Sequence, residues 1–392
     1  MAAAVATAVT RYGPLSAGLV VDARTGRVLY DRNSAVSEPP ASTTKLLTAV
    51  AALRVLGPAT RLVTSVVGPT PDAHGTVAGD LVLVGGGDPT LTRSIGSEHR
   101  ASLQSLVAQL EASGVRAVTG RVLADTSLFT AETVGPGWSP GYVTGGSVAP
   151  VEALELDGGR LTPGGRVKAR YGDPALVAVQ ALTSALRTAG ITVAGAPGHG
   201  TAPAGAPQLA HVSGLTVAAL VTHMLQDSDN DIAECLGRLV AIDAGLPGDA
   251  EHAGQAVLAA ARRLGVPVSG ATLVDSSGLS HDDRLTSRAL VFALRLVSSA
   301  GHADLRTVFT GLPVAGVSGT LDTRYLSGPA LAGKGKVRAK TGAINGVSTL
   351  AGTVPTASGR LLAFSFALEG VTARSAAESL LDRTAAALTA VS

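Results

Sequence analysis

The sequence predicts an α/β (α+β) chain: one domain closed by its own termini and interrupted by an inserted, mostly β/α region. Three observations predict it. Strand-like apolar runs occur near both ends of the chain, helical periodicity fills the stretches between them, and a Gly/Ala/Pro connector over residues 195–207 marks a change of pattern.

The elements follow in order. Residues 17–31 (AGLVVDARTGRVLYD) give two short strands joined at Arg24-Thr25-Gly26, a hairpin signal. Glu38-Pro39-Pro40 blocks helix, and residues 41–53 then carry apolar side chains at helical spacing. Strand patterns follow at 76–87 and 120–125, helical ones at 99–113 and 175–190. Past the connector, 215–225 and 232–244 read as helices parted by the polar cluster 227–231. Residues 336–341, 347–354 and 360–368 read as three strands with Gly-bearing turns, and 376–387 as a terminal amphipathic helix. The expected organisation is a discontinuous domain of residues 1–67 and 211–392, with 68–210 inserted.

Composition excludes several classes. The 392 residues are 46% hydrophobic but only 3% aromatic and 15% charged, so the core must be built mainly from Ala, Val and Leu. Net charge is +2 with basic residues scattered, which gives no nucleic-acid footprint. Mean hydropathy is +0.33, yet no apolar stretch is long enough to span a bilayer. The first nine residues lack the basic flank of a signal peptide. The single cysteine, Cys235, forbids an internal disulfide, and the eight His show no metal-ligand spacing. No cofactor or metal is expected.

Lysine usage directs attention to the chemistry. Only five of the 31 basic residues are Lys: Lys45, Lys168, Lys334, Lys336 and Lys340. A desolvated Lys can lose its proton and Arg cannot, so the two Lys that fall in nucleophile-type motifs are informative. Ser42-Thr43-Thr44-Lys45 places a hydroxyl and an amine on one face of a helix start, where the amine can activate the serine. Ser228-Asp229-Asn230 offers a hydroxyl for proton relay and an amide for a substrate carbonyl. Lys340-Thr341-Gly342 offers two carboxylate-binding groups and a glycine that lets a ligand lie against a strand. Singly, each is more often ordinary structure: a serine at a helix start, a polar cap, an edge-strand lysine. Together they stand in the order S-x-x-K, S-D-N, K-T-G, 186 and 112 residues apart, each in the element its role needs.

This ordered set resembles that of the penicilloyl-serine transferases. Four further blocks resemble low-molecular-mass class C penicillin-binding proteins, the D-alanyl-D-alanine carboxypeptidase/endopeptidases. They are residues 79–91 (GDLVLVGGGDPTL), 120–129 (GRVLADTSLF), 274–280 (VDSSGLS) and 312–321 (LPVAGVSGTL). The resemblance covers nearly the whole chain. It implies a β-lactamase/transpeptidase-like domain, with an antiparallel sheet flanked by helices. It implies that Ser42 attacks the D-Ala-D-Ala carbonyl with Lys45 as base, that Ser228 relays the proton, and that Asn230 orients Lys45 and the substrate. Lys340 and Thr341 would hold the terminal carboxylate beside Gly342, and the N–H groups of Ser42 and Ala343 would form the oxyanion hole. Asp125, His281, Ile344 and Asn345 would line the pocket for the peptide's side chain. The chain departs from its relatives at Ala343, where they carry a hydroxyl residue, and at His281, where they carry Arg.

The implied partners are peptidoglycan stem peptides ending in D-Ala-D-Ala, with β-lactams as covalent inhibitors and no nucleic acid. The implied location is extracytoplasmic, with export and any membrane association supplied by a segment absent from this sequence. The alternatives are a β-lactamase or esterase on the same scaffold, or a non-catalytic cell-wall-binding homologue. No Glu in an E-x-x-L-N context follows S-D-N, which weighs against the first, and two scarce amines in motif positions weigh against the last.

Overall fold

The computed structural model describes residues 1–96, 100–162 and 169–392, so His99, where the 99–113 helix was expected to begin, and Lys168 lie outside the described residues. Chain ends meet in one sheet. Its strands run in the order Arg338–Ile344, Gly346–Pro355, Leu361–Val371, Ala17–Asp22, Val28–Arg32, every neighbour antiparallel. Strand periodicity explains why both faces are apolar. Leu19, Val21, Ala351 and Ala363 point into a helical core with the Lys45–Val55, Val217–Asp227, Asn230–Asp243, Ala250–Arg263 and Ser287–Ser298 helices. Val20, Leu350, Phe364 and Phe366 point the other way, against the Ala2–Thr10 and Arg374–Ala387 helices. Covered on both sides, the three central strands are buried along most of their length, whereas the outer Val28–Arg32 strand is largely exposed.

A second five-stranded sheet, of mixed direction, has the order Gly198–His199, Val122–Asp125, Leu81–Val84, Arg61–Val67, Gln208–Thr216. It has its own core, in which Val66, Leu81 and Leu83 pack with Leu106 and Leu110 of the Leu103–Ala112 helix and Leu182 of the Pro174–Thr188 helix. A three-stranded parallel sheet (Thr76–Val77, Ala117–Val118, Thr192–Val193) belongs to the same stretch of chain. Arg61–Val67 and Gln208–Thr216 pair with each other in this second sheet, which therefore begins six residues before position 67. The expected connector is not wholly irregular, since Gly198–His199 adds an edge strand to Val122–Asp125.

Candidate active site

Ser42 sits in a short 3-10 turn, Ala41–Thr44, which passes directly into the Lys45–Val55 helix. The expectation of one α-helix from residue 41 is thus corrected by one tighter turn. Ala41 holds a left-handed φ of 48°, and so does Ser228 at 57°. For residues with a Cβ this costs about 1–2 kcal/mol each, and such strain gathers at functional sites. At Ser228 the strain ends one helix, and Asp229 caps the next by accepting from the Ile232 N–H at 2.9 Å. Capping and chemistry are divided within the tripeptide: Asp229 caps, leaving Ser228 and Asn230 free to face other groups.

Lys45 is fully buried. Its Nζ lies 3.0 Å from Ser42 Oγ and donates to Asn230 Oδ1 and to the Ser277 carbonyl, both at 2.6 Å. A neutral amine has two hydrogens and one lone pair. Asn230 and Ser277 take the two hydrogens, which turns the lone pair toward Ser42. Burial pulls the Lys45 amine down to about 8, while the carboxylates of Asp275, Glu234, Asp229 and Asp231 hold it from falling further. The Asn230 amide is itself fixed, its Nδ2 donating to the Ser147 carbonyl at 2.8 Å.

The second amine lies across the cleft. Lys340, on the Arg338–Ile344 strand, is also fully buried, and its Nζ donates to Ser228 Oγ and to its neighbour's carbonyl at Thr341, both at 2.9 Å. Burial, then the charges of Lys45 and Arg324, push it well below the ordinary lysine range. Thr341 Oγ1 meets Thr320 Oγ1 at 2.9 Å. Gly342 is needed for closeness: a Cβ there would overlap Thr349 Oγ1 and lie 3.0 Å from the Ser42 nitrogen. The strand therefore passes right beside Ser42.

Ser42, Ser228, Asn230, Ala343, Ile344 and Asn345 line one cleft of about 630 Å³, together with Tyr142, Arg160, Arg170 and Arg374. Asp125 and His281 have contacts of their own. Asp125 is buried, and its two oxygens accept from the Ser127 and Ala202 N–H groups at 2.8 and 2.7 Å. His281 reaches the cleft only through Tyr142, whose hydroxyl lies 3.5 Å from Nε2. Among the described residues no group of three His, Cys, Asp or Glu could hold a metal.

Residue patterns can go further than the three motifs. The 274–280 block supplies the Ser277 carbonyl, held because Asp275 accepts from the N–H groups of Ser277, Gly278 and Ser280 and from Trp138 Nε1. Glu234 stands four residues after Asn230 on the same helix face, a spacing that could have flagged it.

Two segments of the chain, residues 2–169 and 162–390, match the family model described as D-Ala-D-Ala carboxypeptidase 3 (S13). The chain belongs to this S13 family. Among relatives of this S13 chain, a carboxypeptidase of Mycobacterium tuberculosis is 39% identical over 362 residues, covering 89% of this chain and 75% of the relative. A protein of an Actinomadura species named D-alanyl-D-alanine carboxypeptidase is 31% identical over 434 residues, covering 91% of this chain and 78% of its own. The S13 chain also has the fold of penicillin-binding protein 4 from Haemophilus influenzae, with a TM-score of 0.82, 24% identity and 97% of both chains covered.

Proposed function

We propose that the protein is a serine-type D-Ala-D-Ala carboxypeptidase, able also to act as a D,D-endopeptidase on peptidoglycan stem peptides, and blocked by β-lactams that acylate Ser42. The observation that carries this is the 3.0 Å approach of the buried Lys45 amine to Ser42 Oγ. With the amine near 8, about a quarter of it is neutral at pH 7.5, enough to act as a base.

In this reading the terminal carboxylate of the peptide docks on Lys340 and Thr341. Its charge replaces the counter-ion that Lys340 lacks and restores the ammonium. Lys45 takes the proton of Ser42 as Oγ attacks the penultimate D-Ala carbonyl. The N–H groups of Ser42 and Ala343 receive the oxyanion; losing one such donor typically costs about 10²–10³ in turnover. The proton taken by Lys45 then passes through the Ser228 hydroxyl, which is held by Lys340, to the departing D-Ala nitrogen, so that Lys45 is neutral again and Ser228 keeps its hydrogen. Water then attacks the ester and frees Ser42; where the departing amine belongs to a second stem peptide, the same steps cut a crosslink. In the same reading the peptide side chain meets Ile344 and Asn345, which line the cleft, and Tyr142, whose hydroxyl lies 3.5 Å from His281 Nε2.

The substrate sets the location: peptidoglycan lies outside the cytoplasmic membrane, so the protein works there after export. No helix among the described residues is long and apolar enough to cross a membrane. We also propose that residues 68–210 form the body of an inserted unit whose sheet borrows its flanking strands, Arg61–Val67 and Gln208–Thr216.

The test is labelling with a fluorescent penicillin followed by tryptic mapping, alongside D-Ala release from a diacyl-D-Ala-D-Ala peptide. A stable label on the peptide spanning residues 33–45, absent from Ser42→Ala, with D-Ala release, is the expected result. Rapid loss of label without D-Ala release would make the protein a β-lactamase, and no label from a folded chain would make it non-catalytic.

A further inference from the structure

Behind the Ser42 cleft lies a buried carboxylate that no step above uses. Glu234 is fully buried on the Asn230–Asp243 helix. Its Oε1 accepts from the N–H groups of Ser276 and Ser277 at 3.0 and 2.8 Å. The Ser277 carbonyl on the other side of that same residue takes one hydrogen of Lys45, and the Ser276 carbonyl takes the Thr48 hydroxyl at 2.7 Å. One helix face thus reaches Lys45 twice: directly through Asn230, and four residues later through Glu234 and the backbone it holds.

We propose that Glu234 is a positioning residue for the acylation step. Its oxygen fixes the Ser277 carbonyl that aims the Lys45 lone pair at Ser42, and its charge governs how readily Lys45 is found neutral. This rests on the Ser42 reading above.

Two features separate this role from plain loop support. A neutral amide could accept the same two N–H groups, yet the residue is an acid whose Oε2 has no partner among the described residues, a costly state for a buried carboxylate. Burial first, then the charge of Asp275, raises its carboxyl to about 7, so it titrates in the range where Lys45 does. The charged groups facing Lys45 are the carboxylates of Asp275, Glu234, Asp229 and Asp231 and the amine of Lys340. Glu234 itself faces Asp275 and the buried Arg238.

The sign follows. An ionised Glu234 favours the Lys45 ammonium, so removing its charge lets the amine become neutral at lower pH. The experiment measures initial rates of fluorescent-penicillin labelling of the full chain from pH 6 to 9, with Ser42→Ala as the blank. Glu234→Gln should keep the alkaline plateau within about threefold and move the acidic limb down by about half a pH unit or more. Glu234→Ala leaves the Ser276 N–H without its acceptor and should lower the plateau by at least about tenfold. If the alanine variant fails to fold, the glutamine limb decides alone. An unmoved or raised limb in Glu234→Gln, or a wild-type plateau in a folded Glu234→Ala, overturns this inference while the Ser42 reading stands. A wild-type chain without label, or a labelled Ser42→Ala, overturns that reading and this inference with it.

Discussion

The two sides of the cleft are each built around a fully buried lysine, and the surroundings of the two amines differ in sign. Lys45 is surrounded by carboxylates, those of Asp275, Glu234, Asp229 and Asp231. Lys340 feels only cations among its named neighbours, Lys45 and Arg324. Burial lowers both amines, but at Lys45 the acids limit the fall to about 8, where an amine can take and return a proton. Lys340 has no such counter-charge among the described residues that act on it, and in the proposed reading an arriving carboxylate supplies one. In the proposed reading, identical side chains are thereby set to different work, one as a base and the other as a receptor for a carboxylate.

The largest effect that could break this contrast is at Lys45. Lys45→Arg keeps a cation that cannot give up its proton, and the rate of penicillin acylation should fall by about a thousandfold or more. A variant that acylates within tenfold of wild type would remove the base role. The next effect sharpens the other side. Lys340→Ala should cut kcat/KM for a D-Ala-D-Ala peptide by about a hundredfold, mostly through KM. The same change should matter much less for a peptide ending in an amide, and equal losses on both substrates would contradict a carboxylate receptor.

The two lysines themselves were legible in the sequence, because two of only five lysines fall in short motifs with a neighbouring hydroxyl. The terminal strands and the helix pair around 227–231 were legible for a similar reason: local periodicity and breaks announce them. The sign of the charge around each lysine was not. Glu234 and Asp275 reach Lys45 through backbone that folds back from residues 274–280, more than 220 positions from the helix they serve. Nor was the longer contact of Asp125, whose carboxylate accepts from the Ala202 N–H, 77 positions away, as well as from nearby Ser127. The edge strands of the second sheet escaped too, since Arg61–Val67 and Gln208–Thr216 are stabilised by pairing with each other across some 140 residues, which no local window contains.

The central claim is that a neutral amine at position 45 activates Ser42, and the single-turnover rate of acylation against pH tests it most directly. With the Lys45 amine near 8, the rate should climb about tenfold from pH 7 to pH 9 along a limb set by that titration and then level off. A rate that is flat across this interval, in a chain that still labels only on Ser42, would show that the lysine is not the base.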